Sequence, residues 1–190
     1  MILASQSPRR IELMREAGFD ARVIPANIDE TALPDESPFD LVERLARAKA
    51  AVVAKEHAEE GEPVVAADTI VALAGELLGK PADEADARRM LHALSGKTHQ
   101  VATGVCIVRD GSAESFVDIT DVTFYELSHD EIDAYVVTGE PMDKAGAYGI
   151  QGQYGRMLVE KIDGDFYNVM GLPVEKLGQC LTKHFGVRFF

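Results

Sequence analysis

The chain has 190 residues and a mass of 20.7 kDa; 46% of its residues are hydrophobic and 27% charged, the balance of a folding globular chain rather than a disordered or fibrous one. That length suits one domain, or two small lobes folded as a unit, with a real core. A net charge of -13 argues against a surface that holds a nucleic-acid backbone, while leaving room for a small anion held locally. Cys106 and Cys180 stand far apart with no C-x-x-C spacing, which fits a reducing cytoplasm better than a disulfide framework or a zinc ribbon. The longest apolar runs, 64–67 and 70–74, fall far short of the roughly 20 residues that span a bilayer. The opening Met1-Ile2-Leu3-Ala4-Ser5 lacks the parts of a secretory signal, so neither a membrane span nor a leader is expected.

In chain order, Met1 to Ala4 reads as a strand, and Ser7-Pro8 as the cap and first residue of a helix that Gly18 stops. Ser37-Pro38 repeats that start before Leu41, Val42, Leu45, Ala48, Val52 and Val53, which predict a second helix of about five turns ahead of Gly61. Val64 to Leu73 suits a buried central strand interrupted only by Asp68-Thr69, and Gly75 and Gly79 bracket a loop or short hairpin. Asp83 caps a helix to Leu94. His99 to Val108 and Ser115 to Phe124 are β-rich runs split by Asp110-Gly111, a hairpin signal, and Ser128 with Glu131 makes a capping box for a helix to Val137. Five glycines then fall between Gly139 and Gly155, a composition that lets backbone approach a ligand. Met157 to Ile162 and Phe166 to Met170 read as two further strands, and Pro173 opens a last helix. The fold class is mixed α/β with no repeat, linker or internal boundary, one domain over residues 1–190.

Ser5-Gln6-Ser7-Pro8-Arg9-Arg10 gathers hydroxyls, helix N-terminal amides and guanidinium groups as a phosphate site would, and equally as an ordinary cap with solvated arginines would. Asp68 is a lone carboxylate in an apolar strand, so it demands a lysine, an arginine, a metal ion or several hydrogen bonds. In a regular strand Thr69 points to the other face. Lys80, between Gly79 and Pro81, is placed to meet a polyphosphate or to be solvated; Lys49 lies in the apolar patch 46–54 and either turns inward or snorkels; Glu30 reads as a metal ligand or as loop charge. The five histidines lack metal-ligand spacing and read as surface or capping residues. No G-x-S-x-G elbow, P-loop or dinucleotide fingerprint occurs.

Taken together, Leu3-Ala4-Ser5-Gln6-Ser7-Pro8-Arg9-Arg10, Ala67-Asp68-Thr69-Ile70-Val71, Leu78-Gly79-Lys80-Pro81, Leu94-Ser95-Gly96-Lys97-Thr98-His99 and the run from Asp143 to Gly152 closely resemble the Maf family of nucleoside triphosphate pyrophosphatases, over nearly the whole chain. The resemblance implies an elongated twisted sheet with flanking helices, two lobes around a cleft, related to inosine triphosphate pyrophosphatases. It also implies a cytoplasmic homodimer dependent on a divalent metal, Mg2+ or else Mn2+ or Co2+, that hydrolyses dTTP and UTP to the monophosphate and pyrophosphate. By the same resemblance Asp68 is the proton acceptor, Ser5, Arg10, Lys49 and Lys80 hold phosphate, and Glu30 with Asp68 takes the metal. Arg9, Thr69 and Gln151 match the positions that govern base preference, and a glutamine amide offers the acceptor and donor that complement uracil and thymine. Two alternatives are a septum-formation regulator with an unknown cell-division partner, and the same reaction on 7-methyl-GTP.

Overall fold

The structure, a computed structural model, describes residues 1–187. Its elements are β1 (Ile2–Leu3), α1 (Pro8–Glu16), β2 (Arg22–Val23), α2 (Pro38–His57), β3 (Val64–Leu73), β4 (Glu76–Leu78), α3 (Glu84–Leu94), β5 (Thr98–Arg109), β6 (Ser112–Phe124), α4 (His129–Val137), β7 (Val159–Asp163), α5 (Phe166–Met170) and α6 (Val174–Phe185). Among the described residues the strands form a mixed sheet of seven in the order β2-β1-β3-β5-β6-β7, with β4 pairing β3. β1 runs parallel to β2 and β3, whereas β3 with β4, and β6 with β7, are antiparallel.

The chain divides into two compact units, and neither is contiguous in sequence. The first holds Met1–Asp68, Thr103–Asp118 and the chain from Gly171 on. Here the inward stripe of α2, with Ala46, Ala50 and Val53, packs on Ile2, Ala4, Val64, Ala66 and Cys106. Ser37 starts α2 by accepting from the Asp40 amide at 3.1 Å, with Pro38 in the first turn. Gly104 lets the helix come close, because a Cβ at that position would lie 2.4 Å from the Val42 carbonyl oxygen.

The second unit holds Thr69–Ala102 and Ile119–Met170. Its core joins Val71, Met90, Leu91, Leu94, Val101, Phe124, Ile132 and Tyr148. Asp83 caps α3 and the Ser128–Glu131 box caps α4, both as the sequence predicts. The Asp110-Gly111 turn that joins β5 to β6 in the first unit has positive φ at both residues, the backbone of a tight hairpin.

Three expectations are corrected. Phe166–Met170 is a short helix rather than a strand, fixed by the buried Asn168 amide donating to the Val101 carbonyl at 3.0 Å and to Thr120 Oγ1 at 2.9 Å. The preceding strand begins at Val159, since Gly155–Met157 is a 3-10 turn. His99 is not a surface residue: it is 1% exposed, its Nε2 lies 2.7 Å from Tyr148 Oη, and its ring meets Phe124 and Tyr148 edge-on. Burial pulls its pKa down to about 4.

Candidate active site

Asp68, on β3 in the first unit, receives the partner that its sequence context demands. Lys49 faces inward from α2, only 8% exposed, and its Nζ lies 2.6 Å from Asp68 Oδ1. The same ammonium lies 2.7 Å from Glu30 Oε1. Lys49 and Asp68 side chains are 10% and 14% exposed, Glu30 58%, so a mostly buried ion pair is extended to one solvent-facing carboxylate. Of the two readings open for Lys49 the inward one holds, and Glu30 pairs with it from the solvent side.

The Ser5–Arg10 segment lies in the same unit. Ser7 caps α1, accepting from the Arg10 amide, and Ser5 Oγ accepts from the Ser7 amide at 3.1 Å. Arg10 folds back rather than extending into solvent: its Nε donates to the Gly171 carbonyl at 2.8 Å and its Nη1 approaches Ser5 Oγ at 3.5 Å. Burial lowers the Arg10 pKa, while the charge of Asp68 acts in the opposite direction. Ser5, 6% exposed, Arg10, Lys49, Glu30 and Asp68 thus belong to one unit, as does Arg9 on α1. Two carboxylates converge there on one ammonium, and the charges of both act on the Arg10 guanidinium.

Thr69, Lys80 and Gln151 belong to the second unit. Lys80 is exposed, and the carbonyl of its neighbour Gly79 accepts from Gly146 N at 3.0 Å, tying the Lys80 turn to the glycine-rich loop. Gly146 has φ of 68°, and a Cβ there would meet Val71 at 3.0 Å. Gln151 lines an open cavity of about 470 Å³ with Arg156, Val159, Lys161, Ile162 and Phe166 among its walls.

A model of Maf-like proteins matches residues 1–184. The chain belongs to the Maf family. Several Maf relatives carry the name dTTP/UTP pyrophosphatase: one from Symbiobacterium thermophilum is 50% identical over 190 residues, covering all of this chain and 96% of that protein. One from Halalkalibacterium halodurans is 48% identical over 190 residues, all of this chain and 98% of that protein, and one from Bacillus cereus is 49% identical over 177 residues, 93% of this chain and 91% of that protein. Among solved structures, the Staphylococcus aureus Ham1 protein aligns with a TM-score of 0.52 at 17% identity, over 83% of this chain and 79% of that one, which is a likeness of fold. The Maf motifs therefore fall on the ion-paired strand, the capped first helix and the glycine-rich loop described above. What the motifs do not announce is the support beneath them: the Gly171 carbonyl under Arg10, and Glu140 and Arg156 beside Gln151. Glu140 follows Gly139 at the mouth of the glycine-rich stretch, and that position is the one local signal for it.

Proposed function

We propose that this chain hydrolyses dTTP and UTP to the nucleoside monophosphate and pyrophosphate. The reading is carried by relatives of that name at 48% to 50% identity over the full chain, and it is supported by the placement of Asp68. Lys49 engages Oδ1 and orients the carboxylate, so that Oδ2 accepts the proton of a water attacking the α-phosphorus. The new bond joins the water oxygen to that phosphorus, the bond from phosphorus to the α–β bridging oxygen breaks, and pyrophosphate leaves. Ser5, Arg10 and Lys49, all of the first unit, bind and neutralise phosphate oxygens, which is most of what such a transfer needs.

The chemistry of the donors also suits a divalent metal. Glu30 Oε1 and Asp68 Oδ1 already share one cationic centre, the Lys49 ammonium, and Mg2+ is characteristically held by one or two carboxylates together with substrate phosphates. Glu30 and Asp68 would hold it, and Mg2+, Mn2+ or Co2+ would supply Lewis-acid neutralisation of phosphate charge. Gln151, with its paired acceptor and donor, selects uracil and thymine, assisted by Thr69 of the same unit. A homodimer in the cytoplasm completes the reading.

The test is pyrophosphate release from dTTP, UTP, CTP, ATP, GTP and 7-methyl-GTP with Mg2+, in wild type and Asp68→Asn. Release from dTTP and UTP, reduced about 100-fold to 10,000-fold by Asp68→Asn with the fold intact, is the expected result. Near-wild-type turnover in the variant would remove Asp68 as the base, and release from none of the nucleotides would remove the activity.

A further inference from the structure

The loop that carries Gln151 is braced from both ends by charged side chains outside the motif. From its N-terminal side, Glu140 Oε1 accepts from the Gly155 amide at 3.1 Å and from Tyr135 Oη at 3.1 Å, while its Oε2 accepts from the Tyr154 amide at 3.3 Å. From its C-terminal side, Arg156 donates Nη2 to the Gln151 carbonyl and Nε to the Gly152 carbonyl, both at 2.8 Å. Lys144 Nζ, at 2.5 Å from the Glu140 carbonyl, secures the residue that does the bracing.

The glycines are fitted to this arrangement. A Cβ on Gly152 would lie 1.8 Å from Glu140 Oε1, and one on Gly155 would lie 2.3 Å from the Gly149 carbonyl oxygen and 2.9 Å from Glu140 Oε1. Gly152 N closes the turn on the Gly149 carbonyl at 2.9 Å. The backbone on either side of Gln151 is thus fixed before any ligand binds, by a carboxylate accepting two amides and a guanidinium spanning two carbonyls. Holding the Gln151 backbone limits the positions its side-chain amide can reach, whereas on a mobile backbone the amide could follow more than one base edge.

We propose that Glu140 and Arg156 are positioning residues that set base selection by holding the Gln151 backbone. This rests on the proposed dTTP/UTP pyrophosphatase activity. Neither residue is assigned a contact with the phosphates or with the reacting atoms, so the signature is a rise in KM and a loss of base discrimination with kcat nearly kept.

The experiment compares wild type, Arg156→Ala, Arg156→Lys and Glu140→Gln in two readouts. The first is kcat and KM for UTP, dTTP and CTP. Arg156→Ala is expected to raise KM for UTP and dTTP about tenfold, the effect of losing one well-aligned hydrogen bond, with kcat within about twofold and the preference over CTP reduced. Arg156→Lys, which can satisfy one of the two carbonyls, recovers part of it. The second readout is amide hydrogen exchange without nucleotide: the Tyr154 and Gly155 amides exchange faster in Glu140→Gln than in wild type, at unchanged global stability. Unchanged exchange in Glu140→Gln overturns the brace, and faster exchange with unchanged base preference in all three variants overturns its role in selection. A wild-type chain inactive on every pyrimidine triphosphate overturns the proposed function and base selection with it, while the exchange rates still decide the brace.

Discussion

Replacing Lys49 by Met keeps the length and apolar stem of the side chain and removes only the cation that joins two carboxylates. Asp68, 14% exposed, then stands in a mostly apolar strand without its 2.6 Å partner, whereas Glu30, 58% exposed, recovers its hydration. Breaking a buried pair from one side costs about 3–5 kcal/mol, and the opening to solvent beside Asp68 places this case near 3 kcal/mol; the Glu30 arm adds less than about 1 kcal/mol. For a chain of this size, about 3 kcal/mol corresponds to a melting temperature lower by roughly 6–12 °C. Asp68→Asn alone leaves Lys49 its second carboxylate and should cost less, about 1–2 kcal/mol. The double variant removes both charges, so its loss falls short of the sum of the singles by about 2 kcal/mol. Urea unfolding of the four proteins at pH 7 reads this coupling directly. Singles that add to within about 0.5 kcal/mol would refute a direct Lys49–Asp68 interaction and the proposed orientation of Asp68 that depends on it.

Two further predictions concern the framework. His99 is held near a pKa of about 4 by burial, below its unfolded value near 6.5, so the unfolded chain binds the extra proton between those limits. Stability from this residue is present above about pH 6.5 and is lost as the pH falls toward 4, by an amount on the order of 3 kcal/mol. His99→Gln, which can still meet Tyr148 Oη, should flatten that part of the stability profile; the Glu36 and Glu62 carboxyls, held down at about 2 by arginine partners, act only at lower pH. Gly104→Ala drives a methyl onto the Val42 backbone at 2.4 Å and should lower stability by about 1–3 kcal/mol or more. Gly178→Ala, in α6 with nothing within 4 Å of the new methyl, should raise stability by about 0.5–1 kcal/mol, and equal melting shifts for the two would contradict the packing described.

Much of the fold is legible because its signals are local. Ser37-Pro38, Asp83, Ser128 with Glu131 and Asp110-Gly111 act over three or four residues, so their effects survive in any context that permits them. Phe166–Met170 has the aromatic and β-branched look of a strand, yet its state is set by Asn168 reaching partners 67 and 48 residues away. The direction of Lys49 is another such case: periodicity puts it on the apolar face of α2, and only the carboxylate of Asp68 makes that face tolerable for an ammonium. Asp68 itself is legible because a lone charge in an apolar strand is unstable without a partner. Glu140 and Arg156 escape notice because they serve the loop through backbone atoms, which leave no side-chain pattern in the sequence.

The bond from Arg10 to the Gly171 carbonyl spans 161 residues. On the ribosome, the first unit of the protein is started early and stays open while the whole of the second is made, because α6 and the carbonyl that seats Arg10 are translated after it. A nascent chain interrupted between Asp68 and Gly171 therefore carries Asp68, Lys49 and Glu30 but not the segment that finishes their unit. The residues proposed to do the chemistry are among the first made, and the seat for Arg10 is complete only near the end of synthesis, an order of events that keeps a half-made chain from holding the proposed site in finished form.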